Sequence, residues 1–224
     1  HHHDEQCYET QRILSCGQEE REPGHIHSDE CYEITYLCGF DEHIHELSCY
    51  SDLSADLEDW DIWAESIPEL TGRISEDIVL VAQSQLGCSE STLNFEIADD
   101  GETRNGITRY GQWYGNPYGD WSAMFVSFCL HYAQVPGDVI PLECGCARWI
   151  SKLEERGLYL TAAEAFTEEG EFLPVSGDLI FFDNNGNGLS DHVGLVASVE
   201  DGLLHTIEGN VGNSVRRLKY ELTN

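Results

Sequence analysis

Four residues carry the chemistry of this 224-residue chain, and they come in a telling order. Ser122 opens an apolar run, Trp121-Ser122-Ala123-Met124-Phe125-Val126-Ser127-Phe128, that reads as a buried helix. His192 begins a strand-like run after a polar loop, in Asp191-His192-Val193-Gly194. Glu208 and Asn210 close the next strand-like run, in Ile207-Glu208-Gly209-Asn210. A nucleophile at a helix N-terminus, an imidazole to take its proton and an acid or amide to orient that imidazole are the parts of a nucleophilic hydrolase. Singly, each residue has a plain structural reading: a helix cap, a strand histidine, a turn. In this order, each on the expected element, they point to a site.

The elements that must position them follow from periodicity. Ile74, Ile78, Val81, Ala82 and Leu86 have helical spacing, with Ser75 as candidate cap and Gly87 as stop. A polar, Gly-containing stretch runs on to Asp120. Helices are expected over Trp121 to His131 and Ala147 to Glu155, and strands over Asp178–Phe182, His192–Val199, Leu203–Ile207 and Val215–Tyr220. Helices followed by a meander of short strands predict an α+β fold, with N-terminal helices packed on an antiparallel sheet.

The stretches that carry these residues resemble the CHAP domain, the cysteine, histidine-dependent amidohydrolase/peptidase module of bacterial wall hydrolases. They are Gly111 to Phe128, Gly177-Asp178-Leu179-Ile180-Phe181-Phe182, Asp191 to Gly194 and Thr206 to Asn210, and the resemblance spans about residues 73–224. It implies a papain-like fold, with His192 as general base and acid, Glu208 as orienting acid and Asn210 as supporting polar group. It also implies a cysteine at the position of Ser122. Ser122 then reads as a Cys→Ser replacement that inactivates the enzyme, with a natural serine variant or pseudoenzyme as the alternative. The implied substrate is a peptidoglycan peptide amide cleaved through an acyl-enzyme, or an amide of a non-wall protein. The implied location is the secreted or cell-surface compartment of a Gram-positive bacterium.

Residues 1–50 form a different region. Cys16-Gly17, His25-Ile26-His27 and Cys31-Tyr32 recur as Cys38-Gly39, His43-Ile44-His45 and Cys49-Tyr50. A partial copy ends at Cys7-Tyr8, so His3 can be native even if His1–His3 is the remnant of a tag. Thiolates and imidazoles at such spacing can close zinc sites, with a subset of Cys7, Cys16, His25, His27, Cys31, Cys38, His43, His45 and Cys49 as ligands. Disulfides are the competing staple, and they explain the cysteines but not the recurring His-x-His. The module is free to contact a surface or another protein. Residues 51–72 are an acidic connector whose Trp60 and Trp63 predict partial packing on the next domain, 73–224.

Outside the repeat, Cys88, Cys129, Cys144 and Cys146 read as small buried thiols, and Cys129 is no substitute nucleophile. Asp183-Asn184-Asn185-Gly186-Asn187-Gly188, with Asp191, matches the opening of a calcium loop. Asp183, Asn185, Asn187 and Asp191 are the candidate ligands, and an Asn/Gly turn is the equal alternative. Eleven basic against 42 acidic side chains give a net charge of −31, which argues against nucleic acid and anionic lipid as partners. No apolar run approaches a membrane span, and the chain reads as an excised fragment because it lacks an initiator Met.

Overall fold

A computed structural model describes residues 12–14, 32–34, 51–167 and 170–222. The chain divides into two compact units: residues 1–50 with 99–103, and residues 51–98 with 104–224. In the first, β1 (Arg12–Leu14) and β2 (Tyr32–Ile34) pair antiparallel. Every residue of the Cys/His repeat named above as a ligand lies outside the described residues.

The second unit is built in chain order from α1 (Trp60–Glu65), α2 (Ile74–Ser84), β3 (Phe95–Ile97), β4 (Arg104–Gly106), α3 (Arg109–Tyr114), α4 (Ser122–Tyr132) and α5 (Cys146–Glu154). Then follow α6 (Ala162–Ala165), β5 (Phe166–Thr167), β6 (Gly170–Glu171), β7 (Leu179–Phe182), β8 (His192–Glu200), β9 (Leu203–Glu208) and β10 (Arg216–Glu221). The last four strands form one antiparallel sheet in the order β10-β9-β8-β7, with an irregularity between Val196 and Ser198. Helices first and an antiparallel meander last is the α+β arrangement expected. No helix among the described residues is long and apolar enough to cross a membrane.

Helix α4 is the axis of the core. Every residue from Ser122 to Leu130 is buried, as expected of a helix without a polar face before His131. It packs on α2, α3 and β8, meeting Val193, Leu195 and Ile207 from the sheet in one apolar cluster. Segment 51–72 contributes to that cluster. Trp63 is 1% exposed within it, whereas Trp60 is 64% exposed. Glu58 is held by Arg109, whose Nε and Nη2 donate to its carboxylate at 2.5 and 2.9 Å. Arg109 Nη1 also reaches Ser66 Oγ at 3.1 Å and the fully buried Gln85 Oε1 at 2.9 Å.

Two details differ from the sequence expectation. Ser75 lies inside α2, because the helix begins at Ile74; Asp77, one turn in, reaches back instead and accepts from Thr71 N at 2.7 Å and Gly72 N at 3.0 Å. The stretch expected to be irregular up to Asp120 holds β3, β4 and α3. These elements are too short to show periodicity. Local bonds define α3: Thr108 Oγ1 accepts from Gly111 N at 2.9 Å, and Gly115 ends the helix at φ 91°.

Candidate active site

At the sheet end where β7 and β9 finish and β8 and β10 begin, register does most of the positioning. Gly194 lies opposite Glu208, so the glutamate shares a face with His192, two residues upstream on β8. Glu208 reaches across Gly194, and its Oε2 sits 2.8 Å from His192 Nε2. Only glycine permits that path, since a Cβ at position 194 would fall 2.5 Å from Glu208 Cγ. The pairing leaves His192 Nδ1 as the ring nitrogen for a reacting group.

Glu208 is 1% exposed, yet its second oxygen is also satisfied. Oε1 accepts from Thr206 Oγ1 and, at 3.0 Å, from Tyr220 Oη on β10. Burial first, then the Glu208 carboxylate, push the Tyr220 phenol well above its ordinary range, so it remains a donor. In the sequence Thr206 only opens a stretch that carries the resemblance and Tyr220 only ends an expected strand, neither with a role of its own. Alternation within β10 was the available signal, but the pairing with β9 decides which residue faces Glu208.

The turn after Glu208 carries the sheet to the start of α4. A Cβ at Gly209 would lie 2.5 Å from Phe125 Cβ and 2.9 Å from Trp121 Cζ3, so backbone and helix touch there. Ser122 lies between those two residues in sequence. Asn210 follows with a left-handed φ of 61°, and its side chain makes no hydrogen bond among the described residues. Trp121 is fixed from the other side, its Nε1 donating to Glu90 Oε1 at 2.7 Å.

Ser122 is the first residue of α4 and 6% exposed. No side chain caps that helix, so its first-turn N–H groups and the positive end of its dipole are left for a ligand or a developing negative charge. No hydrogen bond joins Ser122 to His192 among the described residues. Cys146, the first residue of α5, is 9% exposed and belongs to the same apolar cluster as Ala123. Cys129 is fully buried, and burial pushes its thiol well up.

Residues 112–210 match the family model of the CHAP domain. The match begins inside α3 and takes in Ser122, Cys146, His192, Glu208 and Asn210, whereas Tyr220 lies beyond it. No curated protein and no solved structure matches the chain.

The loop between β7 and β8 is a hydrogen-bonded turn. Asp183 accepts from Asn187 N at 3.1 Å and Gly188 N at 2.8 Å. Asp191 accepts from Asn184 N at 3.1 Å and from the side-chain amides of Asn184 and Asn185 at 2.9 and 2.8 Å. Those bonds hold the Asp191 carboxyl below its ordinary value. Among the described residues no group of three or more His, Cys, Asp or Glu side chains could hold a metal. Asn185 Oδ1 and Asn187 Oδ1 likewise accept, from Asn187 N at 3.1 Å and Leu189 N at 2.8 Å, so all four candidate calcium ligands take part in the turn.

Proposed function

We propose that the second unit is an amide hydrolase of the cysteine type, acting on peptidoglycan peptide amides, and that Ser122 stands where the nucleophilic thiol belongs. One arrangement carries this reading: the half-buried His192, paired with the buried Glu208, lies at the strand end whose turn touches the uncapped start of α4. The match of residues 112–210 to the CHAP domain supports it.

With a thiol at position 122, His192 takes the thiol proton through Nδ1 and the thiolate attacks the amide carbonyl carbon. Glu208 stabilises the imidazolium so formed and keeps the ring oriented. The oxyanion of the tetrahedral intermediate is stabilised by N–H groups of the first turn of α4. The imidazolium then protonates the leaving amine as the C–N bond breaks, giving a thioester. Water, deprotonated by His192, hydrolyses the thioester and regenerates the thiol. A serine hydroxyl is a far weaker nucleophile at neutral pH, so Ser122 switches the cycle off.

The test is Ser122→Cys, assayed on wall fragments and peptides for newly released amino groups. Cleavage is expected; no cleavage of any amide overturns the reading. A second reading, a binding module that holds its ligand without turnover, is favoured by Ser122 itself. Secretion or attachment at a cell surface accompanies the wall substrate. For residues 1–50 we propose structural zinc at the Cys/His repeat; metal analysis that finds no zinc, with mapped disulfides, would replace it.

A further inference from the structure

The motif Gly177-Asp178-Leu179-Ile180-Phe181-Phe182 ends in two phenylalanines that strand alternation sends to opposite faces of β7. Phe181 packs against the apolar cluster, edge-on to Trp149 and to Tyr159, with 6.0 Å between ring centroids in each case. Phe182 lies directly across from His192 in the register of β7 with β8, and the two rings are 5.7 Å apart and tilted by 40°. The Phe182 ring also meets the Tyr220 ring, at 5.1 Å. That second contact joins the two outer strands of a sheet ordered β10-β9-β8-β7. Tyr220 Oη is 3.0 Å from Glu208 Oε1, and Glu208 Oε2 is 2.8 Å from His192 Nε2. Phe182, His192, Glu208 and Tyr220 therefore close into a ring of contacts, with one side chain from each strand.

We propose that Phe182 is a positioning residue for His192. The inference rests on the reading that His192 is the base of a hydrolytic site. Glu208 holds the imidazole at one atom, Nε2, and a single hydrogen bond fixes that atom without fixing the plane of the ring. Phe182 supplies the second constraint, a flat apolar wall beside the imidazole that is itself propped by Tyr220. Nδ1 then keeps one direction toward the reacting group, as proton transfer requires. The wall also limits water. The His192 side chain is 15% exposed and that of Glu208 1%, so water reaches their bond from the imidazole end. A hydrogen bond between imidazole and carboxylate is stronger where less water competes for it. Phe182 has no polar atom to offer a substrate; it acts through the imidazole.

The experiment follows the Nε2 proton of His192 by NMR at one pH, in the chain with Ser122 in place; the signal is assigned by its loss in His192→Gln. Phe182→Leu should speed exchange of that proton with water about tenfold, the effect of weakening a hydrogen bond by its ordinary net worth. Phe182→Tyr, which keeps the ring, should exchange at the rate of the unsubstituted chain. Exchange equally fast in all three, or as fast with tyrosine as with leucine, overturns the proposal. In the Ser122→Cys background Phe182→Leu should lower kcat about tenfold with KM unchanged, and Phe182→Tyr should restore it. Circular dichroism checks that each variant folds, and Phe182→Met replaces the leucine variant if that one does not. Exchange that depends on Phe182 without cleavage of any amide removes the hydrolase reading and leaves Phe182 as the brace of the imidazole. Cleavage with a kcat indifferent to Phe182→Leu overturns this inference and leaves the hydrolase reading standing.

Discussion

The molecule buries two glutamates and treats them in opposite ways. Glu143, 3% exposed, is surrounded by cations: Arg148 and Lys152 of α5 close on its two oxygens. Burial raises its carboxyl, but the hydrogen bonds and charges of Lys152 and Arg148 outweigh it, and the group sits below its ordinary value. Glu208, 1% exposed, has hydroxyls from Thr206 and Tyr220 and one imidazole. Among the described residues, the counter-charge paired with it is the one His192 acquires on taking a proton. A carboxylate neutralised in advance holds a fold together; a carboxylate awaiting its cation is arranged for proton transfer.

The sharpest way to break this contrast is to neutralise each in turn in the Ser122→Cys background. Glu208→Gln should lower kcat on the order of 10²–10⁴-fold with the fold retained, because an amide cannot stabilise the imidazolium. Glu143→Gln should leave kcat unchanged. Equal losses in a steady-state assay would erase the distinction.

Next in size is the path across β8. Gly194→Ala puts a Cβ where Glu208 Cγ now lies, so the glutamate must leave His192. We expect kcat to fall about tenfold or more, with roughly 1–3 kcal/mol of stability lost to overpacking. Gly209→Ala forces the turn off Phe125 and should cost a similar amount by urea denaturation.

Glu143→Gln should act on stability instead. Its partners are about half exposed, which reduces the loss to on the order of 1–2 kcal/mol. Because its folded value is depressed, its contribution is complete above the ordinary value of 4.5 and is lost as pH falls through the folded value. The variant's stability should therefore decline less steeply in acid, as read from urea midpoints across pH. Tyr220→Phe is the smallest change: one of two neutral donors to Glu208 Oε1 disappears, for about 1 kcal/mol and a few-fold in kcat.

Much of the site was legible because it lies on long, strongly patterned elements. The apolar run from Trp121 announces α4, and the strand-like runs that hold His192 and Glu208 announce neighbouring strands of an antiparallel sheet. What stayed hidden depends on register or on tertiary approach. Tyr220 meets Glu208 only once β10 is paired with β9, and Ser127 meets Glu143 only once the chain before α5 returns to α4. Thr108 and Asp77 were hidden for a smaller reason, since each satisfies backbone N–H groups at a helix start that hydrophobic spacing alone misplaces.

The way segment 51–72 joins the core governs where this unit can be cut. Trp63 fills a place in the apolar cluster, and Glu58 is the carboxylate partner of Arg109 among the described residues. A version trimmed to begin at Arg73 would keep all four site residues yet open an indole-sized hole and strand a half-buried guanidinium beside Gln85. The smallest piece worth expressing starts at Ser51, and the acidic stretch that resembles a tether is the first layer of this unit's wall.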